Sequence, residues 1–134
     1  MVQLLINIDV DDIEKAIEFY RRALGLTLKR RLFNDTVAEM IGASSPLYLL
    51  KKPARSVVST TLTTRRDYGR HWTPVHFDIA VDDLALAVER AQAAGAIIEG
   101  AFQSYEWGRI AFMADPFGHG FCLLEFRAGG YEAT

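Results

Sequence analysis

The sequence contains an internal repeat, and this repeat restricts the fold more than any other feature. Residues 10–12 read Val-Asp-Asp and residues 81–83 read the same, an offset of 71 positions (83 − 12). Each copy ends a segment in which apolar residues alternate with other residues, the pattern of a β-strand with one buried face. Self-similarity at a fixed offset indicates one structural unit that occurs more than once. We therefore expect two copies of one module in the 134 residues.

A pattern of helical period follows each copy of the repeat. Apolar residues recur at i, i+3, i+4, i+7 and i+11 in residues 13–24, and residues 84–91 repeat the start of this stripe. The aspartate before each stripe can accept the free backbone N–H groups of the first helical turn. Gly25 and Gly95 allow the backbone to leave the helix. Each repeat therefore predicts an amphipathic helix after its strand.

Three shorter apolar segments, each of strand length, follow each predicted helix. They are residues 26–33, 36–41 and 47–50 in the first half and residues 97–102, 109–113 and 121–126 in the second. Turn-forming residues separate these segments, most clearly in the Asp-Pro-Phe-Gly sequence at 115–118. Each half therefore predicts the element order β-α-β-β-β.

The predicted fold is α+β, a single domain of two tandem βαβββ modules at about 1–53 and 75–127. Each module leaves one sheet face without a helix. Two modules side by side would therefore form a curved mixed sheet with helices on the outer face and a cleft inside. Residues 54–74 would form an arginine-rich linker, expected to carry an extra edge strand or a lid because structureless loops of this length are uncommon. Residues 128–134 are expected to be a frayed tail.

Composition limits the classes of function. Fifteen Lys and Arg against seventeen Asp and Glu give a formal net charge of −2, which argues against a dedicated nucleic-acid-binding protein. No apolar run reaches the roughly 18 residues that span a membrane, and the N-terminus lacks the basic segment of a signal peptide. The single cysteine, Cys122, excludes an intrachain disulfide framework. The expected location is cytoplasmic.

The two modules resemble the vicinal oxygen chelate superfamily, which includes glyoxalase I, extradiol dioxygenases and bleomycin-resistance proteins. The resemblance covers nearly the whole chain apart from the linker and the tail. It rests on residues 8–12, 19–20 and 24–26 in the first half and on residues 76–83, 107–112 and 115–118 in the second. It is specific for the fold, whereas the reaction varies widely among proteins that share this scaffold.

The resemblance also implies where a metal site would lie. In metal-dependent members the ligands come from the first and last strands of each module and are usually His and Glu or Gln. The matching positions here are Leu5 and Tyr48 in the first module and His76 and Cys122 in the second. We therefore expect no metal and no other cofactor; if a metal binds, His76 would hold it. Glu125 is not expected to replace Cys122, because an odd spacing places two side chains on opposite faces of a strand unless a bulge intervenes.

Polar and aromatic side chains are predicted to line the cleft. His76 is the leading candidate for a ligand-contacting or acid–base histidine, and the alternative is a histidine hydrogen-bonded to backbone or to Asp78. Tyr105, Trp107 and Arg109 resemble the segment of bleomycin-resistance proteins whose aromatic rings line the ligand cleft; packing at a dimer interface is the alternative. The ligand-binding candidates are His76, Asp78, Asn7, Tyr48, Tyr105, Trp107, Arg109 and Cys122.

Three linker arginines and the cysteine have competing interpretations. Arg65, Arg66 and Arg70 could clamp a carboxylate or phosphate, although charges in a linker are more often solvated. Cys122 could act as a nucleophile only with a base nearby, and a cysteine in an apolar strand more often packs as an inert side chain. Trp72 could lie at the mouth of the cleft or at an interface.

The sequence therefore predicts a metal-independent small-molecule-binding protein of the glyoxalase and bleomycin-resistance type. The ligand, for which aromatic compounds are the first candidates, would lie in the inter-module or dimer cleft, and the resemblance implies a homodimer. The alternative is a metal-dependent enzyme of the superfamily that uses His76, similar to lactoylglutathione lyase, an isomerase or a dioxygenase. A third hypothesis is a sensor module in a larger pathway. The sequence does not decide whether a reaction is catalysed.

Overall fold

The computed structural model describes residues 1–133 and divides into two compact units, with the boundary between Gly69 and Arg70. The first unit contains β1 (Ile6–Val10), α1 (Ile13–Leu24), β2 (Thr27–Leu32), β3 (Val37–Ile41) and β4 (Leu47–Lys51). The second contains β5 (Phe77–Ala80), α2 (Leu84–Ala94), β6 (Ile97–Ile98), β7 (Gln103–Tyr105), β8 (Gly108–Ala114), β9 (Gly120–Phe126) and a 3₁₀ helix (Gly130–Ala133).

Each unit has its own mixed sheet, and the two sheets share one topology. The first has the strand order β1-β4-β3-β2 and the second β5-β9-β8-β6, with β7 also pairing with β8. In both sheets the strand before the helix pairs in parallel with the last strand, while the other pairs are antiparallel. The predicted α+β fold with two tandem βαβββ modules is therefore confirmed. The predicted segment 97–102 is the exception, because the chain divides there into β6 and β7.

Both helices begin and end as the repeat predicts. The Asp12 side chain accepts a hydrogen bond from the backbone N of Lys15, and Asp83 accepts one from the backbone N of Leu86, each at 3.1 Å. Gly25 and Gly95 follow the helices with positive φ angles of 70° and 119°. The apolar stripe of α1 is buried except at Leu24, which is half-buried, as in an amphipathic helix packed on a sheet.

The sheet register shows which residues of the two units are equivalent. In the first unit Asn7 pairs with Tyr48 across β1 and β4. In the second unit Asp78 pairs with Cys122 across β5 and β9. Asn7 and Asp78 differ by the repeat offset of 71 positions (78 − 7). The register therefore places Asn7 and Asp78 at equivalent positions of the two sheets, beside Tyr48 and Cys122.

The linker and the tail both differ from the prediction. The predicted linker has one antiparallel bridge, between Val57 and Arg65, in place of a full edge strand. The tail forms the 3₁₀ helix, in which the Tyr131 ring lies 5.3 Å from that of Trp107 and 4.8 Å from that of Phe126. The prediction of a frayed tail is therefore wrong for residues 128–133, and Thr134 lies outside the described residues.

Among residues 1–133, neither helix has the length and apolar character that a membrane-spanning segment requires.

Candidate functional site

A pocket of about 160 Å³ lies in the second unit, on the face of its sheet that carries Cys122. We call it the second-unit pocket. The strands contribute Phe112 and Cys122 to its wall, and the segments outside them contribute His76, Arg70, Trp72 and Glu99. Two of the predicted ligand-binding residues, His76 and Cys122, therefore line the pocket.

The polar end of the second-unit pocket is formed by His76 and Cys122, and Asp78 adjoins both without lining the pocket itself. Asp78 on β5 lies beside Cys122 on β9, and His76 is two residues before Asp78, so that all three side chains share one face. The His76 Nε2 atom lies 3.2 Å from the Asp78 Oδ1 atom. The nitrogen, oxygen and sulfur atoms of the three side chains lie within 4.8 Å of one another. The structure thus brings together three of the eight predicted ligand-binding residues.

The Cys122 thiol is held in its neutral form. The side chain is buried and packs with Ile110 and Leu124. Burial, together with the nearby Asp78 carboxylate, raises the pKa of Cys122 to about 11. Because the thiolate is the nucleophilic form, this environment opposes a nucleophilic role and supports the packing interpretation.

The superfamily that the modules resemble includes metal-dependent members, which raises the question of whether the side chains at this site could hold a metal ion. His76, Asp78 and Cys122 offer one ligand atom each. To bind a metal, the buried Cys122 thiol, whose pKa is raised to about 11, must first lose its proton. Leu5 offers no ligand atom, and Tyr48 hydrogen-bonds to Glu39. These residues do not fit a preformed metal centre.

Glu125 and Arg109 lie on the opposite face of the sheet from Cys122. The Glu125 carboxylate accepts hydrogen bonds from the Leu84 backbone N at 3.0 Å and from Arg109 Nη2 at 3.2 Å, and both lower the pKa of Glu125. The prediction that Glu125 and Cys122 face opposite sides is therefore confirmed. Arg109 pairs with Glu125 and lies over the Phe102 ring at 5.8 Å, and its ligand-binding role stays a prediction.

Tyr105 and Trp107 belong to an aromatic cluster that they form with Phe126 and Tyr131. The Tyr105 and Trp107 rings stack with centroids 5.5 Å apart and an interplanar angle of 9°. Trp107 also packs against the buried group that contains Cys122, but neither ring is among those lining the second-unit pocket. A ligand-binding role for these two residues stays a prediction. The position of Tyr131 in this cluster was not predicted, because the tail was expected to be frayed.

Asn7 and Tyr48 lie in the first unit. Asn7 is exposed on β1, and Tyr48 is half-buried beside it on β4. Next to Tyr48 the buried Glu39 forms an ion pair with Arg30 at 2.6 Å, and this hydrogen bond holds the pKa of Glu39 below its usual value. A ligand role for Asn7 and Tyr48 stays a prediction. Glu39 was missed, although a glutamate in the middle of an apolar strand is the signal that could have found it.

Arg65 and Arg66 have partners within the first unit. Arg66 Nε lies 2.7 Å from Asp9 Oδ2, and Arg65 donates to the carbonyl oxygen of Arg55. The first arginine of the second unit, Arg70, likewise has a carboxylate partner in Glu99. These contacts do not support the clamp for a ligand carboxylate that the arginines suggested.

Arg70 instead shapes one wall of the second-unit pocket. Its Nε and Nη2 atoms donate to the two Glu99 oxygens at 2.6 and 2.9 Å. Its Nη1 atom donates to the carbonyl oxygens of His71 and Gly118. The guanidinium lies so close to Gly120 that a Cβ at this position would be 2.7 Å from Nη2. Glycine at position 120 therefore makes room for Arg70.

Comparisons with known proteins place this geometry in context. The family described as a glyoxalase-like domain matches residues 5–124. A probable chloroplastic lactoylglutathione lyase from Arabidopsis thaliana is 31% identical over 121 residues, which are 87% of this chain. The chain spans 33% of the length of that relative.

Two solved structures show the same fold. A glyoxalase/bleomycin resistance protein/dioxygenase from Nocardioides superposes with a TM-score of 0.66 at 23% identity, over 97% of this chain and 86% of the other. An antibiotic-binding protein from a Streptomyces species superposes with a TM-score of 0.65 at 22% identity, over 95% of this chain and 97% of the other.

Proposed function

Because the chain belongs to the glyoxalase-like domain family of the vicinal oxygen chelate superfamily, we propose that it binds a small organic molecule in the second-unit pocket without a metal cofactor. The observation that carries the proposal is that His76 and Cys122 line this pocket together with aromatic side chains, while Asp78 contacts both of them beside it. Pockets that combine apolar walls with a few convergent polar groups are typical binding sites for small molecules.

The exposure of the pocket residues supports binding from solvent. The side chains of His76 and Asp78 are 52% and 41% exposed, so a ligand can reach their hydrogen-bonding atoms. Trp72 and Phe112 offer exposed aromatic surface at the same pocket. An aromatic ligand would bury this apolar surface and hydrogen-bond to the polar end. The similarity to an antibiotic-binding protein is consistent with a binding role.

Three of the four positions that match the superfamily's metal ligands support metal independence. Leu5 has no ligand atom, and Tyr48 is engaged with Glu39. Burial and Asp78 keep Cys122 protonated, with a pKa of about 11. Only His76 remains an ordinary ligand, and one histidine is too few for a catalytic zinc site.

The second candidate is a metal-dependent lyase, isomerase or dioxygenase that uses His76. Two observations favour it: three potential ligand atoms lie within 4.8 Å, and the relative from Arabidopsis thaliana is a probable lactoylglutathione lyase. The metal content of the purified protein separates this candidate from the first.

A homodimer also stays a prediction of the resemblance, and sedimentation equilibrium would test it against the chain mass of 15.0 kDa.

The experiment combines metal analysis with ligand screening. Protein purified without chelators is analysed for zinc, nickel, manganese and iron, and its melting temperature is measured with a panel of flat aromatic compounds. We expect substoichiometric metal and a raised melting temperature with some compounds, because a ligand that binds only the folded state stabilises it. His76→Ala should weaken binding roughly fivefold, the effect of one lost hydrogen bond of about 1 kcal/mol.

Two results would contradict this function. Stoichiometric metal that disappears in His76→Ala would support the enzyme instead. An unchanged affinity in His76→Ala, with an unchanged melting temperature of the free variant, would remove His76 from the site. Asn7→Ala provides the comparison in the first unit, because Asn7 is the counterpart of Asp78, which adjoins the pocket residues His76 and Cys122. Weaker binding in this variant would show that Asn7 also contacts the ligand.

A further inference from the structure

The charges around the second-unit pocket do not cancel. Arg70 supplies a positive charge, but Glu99 faces it through two hydrogen bonds of 2.6 and 2.9 Å. The remaining Arg70 contacts are to the backbone carbonyls of His71 and Gly118. Arg70 and Glu99 therefore neutralise each other, and Arg70 offers little net attraction to an anionic ligand.

Asp78 leaves an excess negative charge at the polar end. Its neighbours are His76, 3.2 Å away, and the Cys122 thiol. Within residues 1–133, neither lysine nor arginine forms an ion pair with Asp78. The imidazole and the protonated thiol donate hydrogen bonds to the carboxylate, and a hydrogen bond does not supply the full positive charge of a lysine or arginine partner. The raised pKa of Cys122 has the same origin, because the Asp78 charge opposes a second negative charge beside it.

The walls of the second-unit pocket suit a flat, positively charged group. Trp72 is 80% exposed and Phe112 is 40% exposed, so both rings can contact a ligand. The faces of aromatic rings attract cations through their quadrupole. The cavity of about 160 Å³ has the size of cavities that accept a single benzene ring. An anionic ring of the same size would instead be placed next to the Asp78 carboxylate, which is unfavourable.

We propose that the second-unit pocket selects compact aromatic cations. The positive group of the ligand pairs with the Asp78 carboxylate, and its aromatic ring lies in the pocket against Trp72. This inference rests on the proposed function, because it names the class of ligand for that same site. Asp78 determines the charge of the ligand, and Trp72 and Phe112 determine its flat shape. A neutral analogue binds more weakly, and an anionic analogue is rejected.

The test uses three probes of nearly equal shape that differ in charge: benzamidine, benzamide and benzoate. Their affinities are measured by isothermal titration calorimetry, which does not depend on Trp72 as a reporter, at low ionic strength and about pH 8.5, where histidines are mostly neutral. We expect benzamidine to bind roughly tenfold more tightly than benzamide, as one additional charge–carboxylate contact implies. Benzoate should bind more weakly than benzamide.

Two variants of equal net charge show where the selectivity arises. Asp78→Asn keeps the shape of the side chain and removes its charge, so benzamidine and benzamide should bind with equal affinity. Glu89→Gln removes one negative charge from the exposed surface of α2, outside the pocket, and should keep the tenfold preference. Because Asp78→Asn can disturb the fold, Trp72→Ala provides a second test in an exposed side chain. It should weaken benzamidine binding roughly threefold through the lost cation–π contact.

The outcomes distinguish this inference from the proposed function. If benzoate binds as tightly as benzamidine, or if Asp78→Asn keeps the preference, the selection of cations is wrong while binding in the pocket stands. If none of the three probes binds, the inference is also overturned. The proposed binding function is tested separately, by the melting temperatures measured with the panel of aromatic compounds. Equal loss of preference in Asp78→Asn and Glu89→Gln would assign the effect to net charge and would contradict a role of Asp78.

Discussion

Gly108, the first residue of β8, lies where two strands approach most closely. It pairs with Phe126 of β9 and has a positive φ of 157°. A Cβ at this position would lie 2.1 Å from the backbone oxygen of Glu125, a distance that real Cβ atoms do not adopt. A side chain here must therefore push β8 and β9 apart at the end that carries Glu125 and Arg109.

We predict that Gly108→Ala lowers the free energy of unfolding by about 3 kcal/mol, the upper range for overpacking at a closed site. Gly100→Ala is the matched control, because Gly100 also has a positive φ but has open space at its Cβ position. Its backbone strain alone should cost about 1 kcal/mol. Urea denaturation of both variants measures the difference. Equal losses would show that strain, rather than the contact with Glu125, accounts for the effect.

At the same scale, alternation along one strand is predictable from the sequence, whereas pairing between strands is not. The odd spacing of Cys122 and Glu125 was sufficient to place them on opposite faces. The position of Arg109 depends on its partner across the sheet, which is Glu125. That register depends on the exact length of the turn at 115–119, which local patterns do not fix. Arg109 was therefore predicted in the cleft, although it lies on the other face.

The two helices differ in how their first turns are stabilised. Asp12 caps α1 by accepting from the backbone N of Lys15. Asp83 caps α2 in the same way, but a second carboxylate, Glu125, accepts from the backbone N of Leu84 at 3.0 Å. A helix with two acceptors at its start depends less on either one.

We therefore predict that Asp12→Ala lowers the free energy of unfolding by about 1 kcal/mol, the usual cost of a lost N-cap. Asp83→Ala should cost less, because Glu125 still satisfies one N–H group of α2. Urea denaturation of the two single variants tests the order of the effects. Asp83→Ala in a Glu125→Ala background should then cost more than Asp83→Ala alone. A larger loss in Asp83→Ala than in Asp12→Ala would contradict the prediction.

Helices and their ends could be predicted from the sequence because their signals are local. The aspartates, the apolar stripes and the glycines all lie within a few residues of the features they determine. The prediction of one strand at 97–102 was wrong because Gly100, with a positive φ of 94°, interrupts the segment between β6 and β7. The prediction of a frayed tail missed the packing of Tyr131 on Trp107 and Phe126. No local sequence pattern indicates these two partners.

Across the whole molecule, four carboxyl groups limit the stability of the fold at low pH, and the Cys122 thiol and the Tyr68 phenol limit it at high pH. Arginine partners lower the pKa values of Glu14, Glu39 and Glu99 below the usual 4.5, and a backbone N–H together with an arginine does the same for Glu125. Burial raises the pKa of Cys122 from 9.0 to about 11. It also raises that of Tyr68 from 10.0 to about 12, with a contribution from Asp9.

The sign of each contribution follows from these directions. A carboxyl group with a lowered folded-state pKa contributes stability that is present above pH 4.5 and is lost as the pH falls through the folded value. A thiol or phenol with a raised pKa contributes none below its ordinary value. It instead destabilises the folded state as the pH rises from 9.0 towards about 11 for Cys122, and from 10.0 towards about 12 for Tyr68.

We predict that the urea midpoint is highest between about pH 5 and pH 9 and falls on both sides. Midpoints measured across the pH range test this, with Cys122→Ala as a variant that removes one of the two alkaline groups. The alkaline fall should then begin at higher pH, because only Tyr68 remains. A midpoint that stays constant down to about pH 3 would contradict the roles of the ion pairs.

For the molecule as a whole, the duplicated topology could be predicted, whereas the second-unit pocket could not. Two identical Val-Asp-Asp segments with matching patterns after them are sufficient to indicate one module used twice. The pocket depends on Arg70 and Glu99, which lie 29 residues apart and meet only in the folded chain. It also depends on the space at Gly120, which appears in the sequence as an ordinary turn glycine.

The pairing of Asp78 with Cys122 has a consequence for protein engineering. A designer who wishes to convert this scaffold into a metalloprotein has a native carboxylate at 125 that looks available, yet it points to the helix side of the sheet. The new donor belongs at 122 itself, where Cys122→His or Cys122→Glu would introduce a ligand beside His76 and Asp78 and would discard the thiol that resists deprotonation.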